Sequence, residues 1–268
     1  MSKPLINCRY PQPEATHRLF CFPWAGGGSN FFANWGRELP PNIEAFGITL
    51  AGRESRFAEK PCSSSQETVA EIASTIATDY GDKPLILFGH SMGALLSFET
   101  AVLLKSVYGK EPQHMYLSGV SAPHTESRRK DSRDLSKVTD KEFQELLKEL
   151  GGTPPEIIEN EELFKLFLPA LKADYTMVNQ IMYDLPDGPP PLSCPFTFFD
   201  GAEDNDHDYE ALGTHLPNRS INQSNRSVDE ITMPNFLVQL VTVSRLPDTP
   251  TGWDAQVHAR APDKDELS

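Results

Sequence analysis

Apolar runs alternate with amphipathic ones along the first 120 residues of the chain. "RLFCF" (18–22), "EAFGITL" (44–50), "LILFG" (85–89) and "HMYLSGV" (114–120) are short, β-branched or aromatic, and bounded by Gly or Pro, which predicts strands. Between them, "QETVAEIASTIATDY" (66–80) and "ALLSFETAVLLKSVY" (94–108) carry apolar residues at helical spacing. Strands and helices in alternation imply the α/β class, with a mainly parallel sheet and crossover helices.

Near residue 124 the pattern changes. "HTESRRKDSRDLSK" (124–137) is charged and without apolar period, so it predicts a loop. "VTDKEFQELLKELGG" (138–152) opens with Thr139 three positions before Glu142, a capping-box signature, and closes on Gly151. "PEIIENEELFKLFLPALKADYTMVNQIMYDL" (155–185) continues as helices, with a break predicted near Pro169. Residues 125–190 carry no strand pattern and read as a helical insertion. Strand character returns at "CPFTFFDGAED" (194–204), where the sheet resumes. From Leu212 the pattern degrades, and residues 212–268 form a divergent C-terminal segment. Within it "GTHLPNRSINQSNRS" is polar and turn-rich, "NFLVQLVTVSRL" fits one strand, and the remainder reads as a disordered tail. The whole is expected to be a single domain, residues 1–268, and a monomer.

Charge and cysteine usage narrow the setting. A formal net charge of −14 argues against nucleic acid or an anionic membrane as the main partner. The four cysteines are scattered and form no C-x-x-C pair, as expected of reduced thiols in the cytoplasm. The N-terminal stretch lacks the apolar core of a secretory signal, and "KDEL" near the C-terminus is followed by Ser268. No pattern calls for a metal or a cofactor.

Three stretches carry chemistry. Gly89-His90-Ser91-Met92-Gly93 follows a buried strand and precedes a helix, the setting of a nucleophile elbow. Side chains at the glycine positions would strike neighbouring backbone. Ser91 is therefore the predicted nucleophile, and the N–H of Met92 a predicted oxyanion donor. His90 leaves the turn in another direction and is assigned to packing. "FPWAGGGSNFF" (22–32) lacks the Gly-Lys-Ser/Thr of a phosphate loop and the spaced glycines of a dinucleotide site. Its bare glycines fit the second half of an oxyanion hole. Asp204, just past a late strand, stands in the order Ser…Asp expected for the acid of a triad. "DNDHD" is not a calcium loop, because Tyr209 occupies its sixth position and His215 its twelfth.

Together "FPWAGGG", "LAGRESR" (50–56), "FGHSMGA", "SGVSAPH", "VTDKEFQELLKELGGTP", "LPALKADY" and "DGAED" resemble the type II thioesterases over roughly residues 15–211, in collinear order. The resemblance implies the α/β-hydrolase fold. It also implies release of acyl groups from acyl carrier protein in fatty acid, polyketide or nonribosomal peptide synthesis. It assigns Ser91 as nucleophile, Met92 and Ala25 as oxyanion donors, Asp204 as triad acid, and residues 125–190 as a helical lid over an acyl channel. The apolar lid residues Phe143, Leu146, Leu147, Phe164, Phe167, Leu168 and Leu171 either line that channel or pack the lid. Arg53 and Arg56, with Arg128, Arg129, Lys130 and Arg133, are the cations that could dock an acidic carrier and its phosphopantetheine.

The resemblance stops at the base. The family carries its histidine in a Gly-Gly-His-Phe segment downstream of the triad Asp, where this chain reads "SVDEITMPNF" (227–236). The catalytic base is thus unassigned, with His215 and His258 as the remaining candidates. Three readings stand at this level: a thioesterase impaired by loss of that histidine, a non-catalytic relative that binds acyl chains or carrier protein, and a general carboxylesterase.

Overall fold

The computed structural model describes residues 4–131, 135–151, 153–184, 188–201 and 219–224. Among these residues, seven strands form one sheet in the order β1-β3-β2-β4-β5-β6-β7. They are β1 (Ile6–Asn7), β2 (His17–Phe22), β3 (Ile43–Ile48), β4 (Leu85–His90), β5 (His114–Ser118), β6 (Phe196–Gly201) and β7 (Arg219–Ser224). Of the described pairings, that of β1 on β3 is antiparallel and the rest are parallel.

Strand parity divides the core, because successive side chains point to opposite faces. Phe20 and Phe22 of β2, Leu85 and Leu87 of β4, and Leu117 of β5 share one apolar cluster with α2 (Ser65–Asp79) and α3 (Met92–Tyr108). Leu19, Cys21, Phe88 and Tyr116 point the other way, onto Phe32 of α1 (Ser29–Ala33) and Trp35 of the 3₁₀ turn that follows. β2 and β4 lie side by side at the centre, with Phe22 opposite Gly89. The loops leaving their C-terminal ends are therefore neighbours, at the edge where open α/β sheets place their ligands.

The insertion is helical among its described residues: α4 (Glu126–Asp131), a 3₁₀ turn (Leu135–Lys137), α5 (Asp140–Leu150), α6 (Pro155–Glu159) and α7 (Glu161–Gln180). The capping box at Thr139 is formed, with the Thr139 N–H donating to the Glu142 carboxylate at 2.8 Å. Three expectations are corrected. Residues 126–131 are a helix rather than a loop. Arg128 of α4 donates to the Val178 and Ile181 carbonyls at the end of α7 (2.6 and 3.2 Å), so tertiary contacts with a helix C-terminus supply what the pattern lacked. α7 runs through Pro169 unbroken. Its ends are held separately, Phe164, Leu168 and Leu171 in the lid's own core and Met177 in the main core. That packing outweighs the roughly 3 kcal/mol a mid-helix proline costs. The break falls instead at Asn160, whose side chain accepts from the N–H groups of Glu162 and Leu163. Lastly, the polar, turn-rich stretch after Leu212 contains β7, whose backbone ladder with β6 runs from Phe196↔Arg219 to Gly201↔Ser224.

His114, at the start of β5, stacks on Tyr116 and lies 2.8 Å from the Thr197 hydroxyl. Burial pulls its pKa down from 6.5 to about 4. The unfolded chain therefore binds a proton between those values that the native chain does not, and stability falls as pH drops from 6.5 toward 4. In His114→Phe that decline should be shallower. Equal slopes for the two proteins in melts at pH 7, 6 and 5 would refute a neutral His114 in the fold.

Candidate active site

Ser91 stands between β4 and α3 with φ 53° and ψ −120°, a conformation most residues avoid. Strain of this kind collects at functional sites and is held by surrounding structure. Here the Ser91 N–H donates to the Ser118 carbonyl at 2.8 Å, and the Ser91 carbonyl accepts from Ala94 at 3.0 Å. The flanking glycines are required by contact. A Cβ on Gly89 would lie 2.2 Å from the Gly93 carbonyl oxygen, and one on Gly93 would lie 2.1 Å from that of Phe22. Ser91 is half-buried. Met92, the first residue of α3, has one of the N–H groups that helix geometry leaves without an intrahelical acceptor. Its side chain is buried.

The close approach of Gly93 to Phe22 and Pro23 brings the glycine-rich loop alongside the elbow. Immediately after Pro23, Trp24 and Gly27 close a tight turn, the Gly27 N–H donating to the Trp24 carbonyl at 2.8 Å. Ala25 sits at the head of that turn. The peptide carrying its N–H is the one whose carbonyl Gly27 holds. His90 packs as the sequence indicates: its ring meets Trp24 edge-on with centroids 6.2 Å apart, and Nδ1 lies 3.1 Å from the Ser118 hydroxyl.

The remaining members of the predicted triad, Asp204, His215 and His258, lie outside the described residues, so the geometry here concerns Ser91 and the two N–H groups. Arg53 and Arg56 are not docking cations. Arg53 is 8 % exposed and makes a two-pronged ion pair with Asp174 (2.8 and 2.6 Å). Arg56 is equally buried and pairs with Glu59 and Glu71; burial opposes its charge, but those hydrogen bonds raise its pKa overall. Arg128 and Arg129 are spent on the end of α7 and the residues after it. Sequence reasoning missed Asp174, whose partners lie in distant segments.

The apolar lid residues divide in the same way. Phe143, Leu146, Leu147, Phe164, Leu168 and Leu171 form the lid's own core, while Phe167 is exposed. None lines the apolar cavity of about 200 Å³ that opens beside the first turns of α3. Its walls include Leu95, Phe98, Leu117, Tyr183, Leu192 and Phe198. No helix of the described residues is long and apolar enough to cross a membrane.

Comparison with known proteins places these features in context. The family model described as "Thioesterase domain" matches residues 17–241, beyond the stretch in which the resemblance is legible by motif. The medium-chain S-acyl fatty acid synthase thioesterase of Rattus norvegicus is 39% identical over 206 residues, covering 77% of this chain and 78% of that protein. The gramicidin S biosynthesis protein GrsT of Aneurinibacillus migulanus is 36% identical over 195 residues, with 73% of each covered. Among solved structures, YbtT, a type II thioesterase from the yersiniabactin pathway, has a TM-score of 0.71 at 31% identity, covering 89% of this chain and 97% of its own.

Proposed function

The chain belongs to the type II thioesterase family of α/β-hydrolase fold, and from that premise we propose that it releases acyl groups from acyl carrier protein in fatty acid, polyketide or nonribosomal peptide synthesis. In this reading the Ser91 hydroxyl oxygen attacks the thioester carbonyl. Its proton passes to a base, a tetrahedral oxyanion forms, and the C–S bond breaks to release the pantetheine thiol, which takes the proton back. Water then cleaves the Ser91 ester to free acid and hydroxyl. The N–H groups of Met92 and Ala25 stabilise the oxyanion in both steps, and Asp204 orients the base. That base stays unassigned: 227–236 holds no histidine, and His215 and His258 are the candidates the sequence leaves.

The observation that carries the reading is the strained Ser91 turn at the mouth of α3, pressed by Gly93 against the strand that leads into the glycine-rich loop. A thioester suits such a serine because its thiolate leaves readily. The apolar cavity beside α3 supports an acyl cargo. No cofactor enters these steps; the pantetheine arrives with the partner.

The test is intact-protein mass spectrometry after mixing with carrier protein loaded with acyl groups of graded length. An acyl mass on Ser91, with free acid accumulating, is the expected result. Carrier binding with neither adduct nor acid would establish a non-catalytic relative. Faster turnover of small free esters than of the carrier thioester would make it a carboxylesterase.

A further inference from the structure

"LAGRESR" and Asp174 play no part in the steps above, yet they grip the glycine-rich loop from two sides. Arg53 donates to the Gly27 carbonyl at 2.9 Å while pairing with Asp174. The same carboxylate oxygen of Asp174, on α7, accepts the Gly26 N–H at 2.7 Å. Glu54, itself at φ 45°, accepts from the N–H groups of Ser29 and Asn30 at 2.9 and 3.0 Å and from the Ser29 hydroxyl. One turn before Asp174, Leu171 lies against Gly26, where a Cβ would come within 2.7 Å of it. Asp174 is 1 % exposed.

We propose that Asp174 and Arg53 are positioning residues, which aim the Ala25 N–H at the oxyanion and tie that aim to the seating of lid helix α7. The inference rests on the thioesterase reading and on Ala25 as a donor. The peptide joining Trp24 to Ala25 is planar and trans, so fixing its carbonyl fixes the opposite direction of its N–H. Gly27 holds that carbonyl, and Gly27 is in turn held through its own carbonyl by Arg53. The next N–H along, that of Gly26, is held by Asp174. With both grips in place the turn has no freedom to rotate the Ala25 N–H away. Arg53 also neutralises the Asp174 charge, which would otherwise oppose a developing oxyanion nearby.

The test uses an alkyl fluorophosphonate. It forms a Ser91 Oγ–P bond as the P–F bond breaks and fluoride leaves with the hydroxyl proton, its P=O oxygen taking the oxyanion position. Three full-length variants are compared with the natural chain: Asp174→Ala, Asp174→Asn, and the double variant Arg53→Met with Asp174→Leu. Buried ion pairs replaced together by apolar residues commonly keep their fold, so the double variant holds where Asp174→Ala melts. In folded Asp174→Ala and the double variant, labelling should slow by about 10²–10³-fold, as when an oxyanion donor is lost. For the acyl thioester the loss should lie in kcat, with KM within about twofold. Asp174→Asn, which keeps an oxygen for the Gly26 N–H, should recover to within about fivefold of the natural rate. A folded double variant labelled at the natural rate, or a loss confined to KM, overturns the proposal alone. If the natural chain is not labelled at Ser91, the thioesterase reading falls first and takes this inference with it.

Discussion

Ser91→Ala is expected to abolish the acyl adduct and, where a histidine of this chain serves as base, to lower turnover of a carrier-borne thioester by about 10⁶-fold, roughly 8 kcal/mol of transition-state stabilisation. The change is conservative for the fold. The Ser91 side chain makes no capping hydrogen bond to α3, and alanine meets the same strained φ of 53° that serine does. The bonds that hold the turn, to Ser118 and from Ala94, are backbone bonds and stay in place. Circular dichroism and melting should match the natural chain, so that lost activity reports lost chemistry. A variant that still hydrolyses the thioester at the natural rate would remove Ser91 from the mechanism. The same assay finds the base. Losing one member of a proton-transfer set costs nearly as much as losing all, so whichever of His215→Ala and His258→Ala reproduces the Ser91 loss names the ring that takes the proton. If neither does, and the rate climbs about tenfold per pH unit, hydroxide from solution performs that step and the chain works without a base of its own.

What could be read from the chain was whatever is local. Five of the six described parallel strands, and the two crossover helices that frame the elbow, follow from periodicity, because one face or two of each element is buried against its neighbours. Thr139 and Glu142 identified the start of α5 since both halves of a capping box lie within one turn. Ser91 was legible because its glycines answer a steric demand that adjacent segments impose. Long-range partnerships left no such trace. Arg53 looked like a free surface cation until Asp174, 121 residues away, came to meet it. Charged residues near an active site read the same in sequence whether they face a ligand or hold the scaffold. Pro169 looked like a stop because its local cost is visible in sequence, whereas the two cores that hold α7 on either side of it are not. β7 was hidden because its ladder to β6 is made of backbone, on which composition is silent.

Gly93→Ala is the substitution expected to damage the fold most. The added carbon would sit 2.1 Å from the Phe22 carbonyl oxygen, 2.6 Å from its carbon and 2.8 Å from the Pro23 carbonyl oxygen. All three are backbone atoms, and none can swing aside as a side-chain tip would. Phe22 is pinned as the last residue of β2, paired to Gly89 and wholly buried. Relief requires prising the first turn of α3 away from β2, which opens the packing of Met92 and Leu96 against the sheet. The cost should exceed about 4 kcal/mol, the range reserved for core disruption. A chain of this size would lose roughly 10 °C or more of melting temperature. Shifting Phe22 also drags Pro23 and Trp24, and with them the Ala25 N–H, so any folded fraction should react poorly with the fluorophosphonate. Gly109→Ala provides the internal control. It lies at the other end of the same helix with φ 65°, and a Cβ there meets nothing within 4 Å. Only the left-handed backbone resists it, at about 1–2 kcal/mol. A Gly93→Ala protein that melts within a few degrees of Gly109→Ala would show that α3 and β2 are not in contact at the elbow. The placement of the glycine-rich loop beside Ser91 would then fail with it.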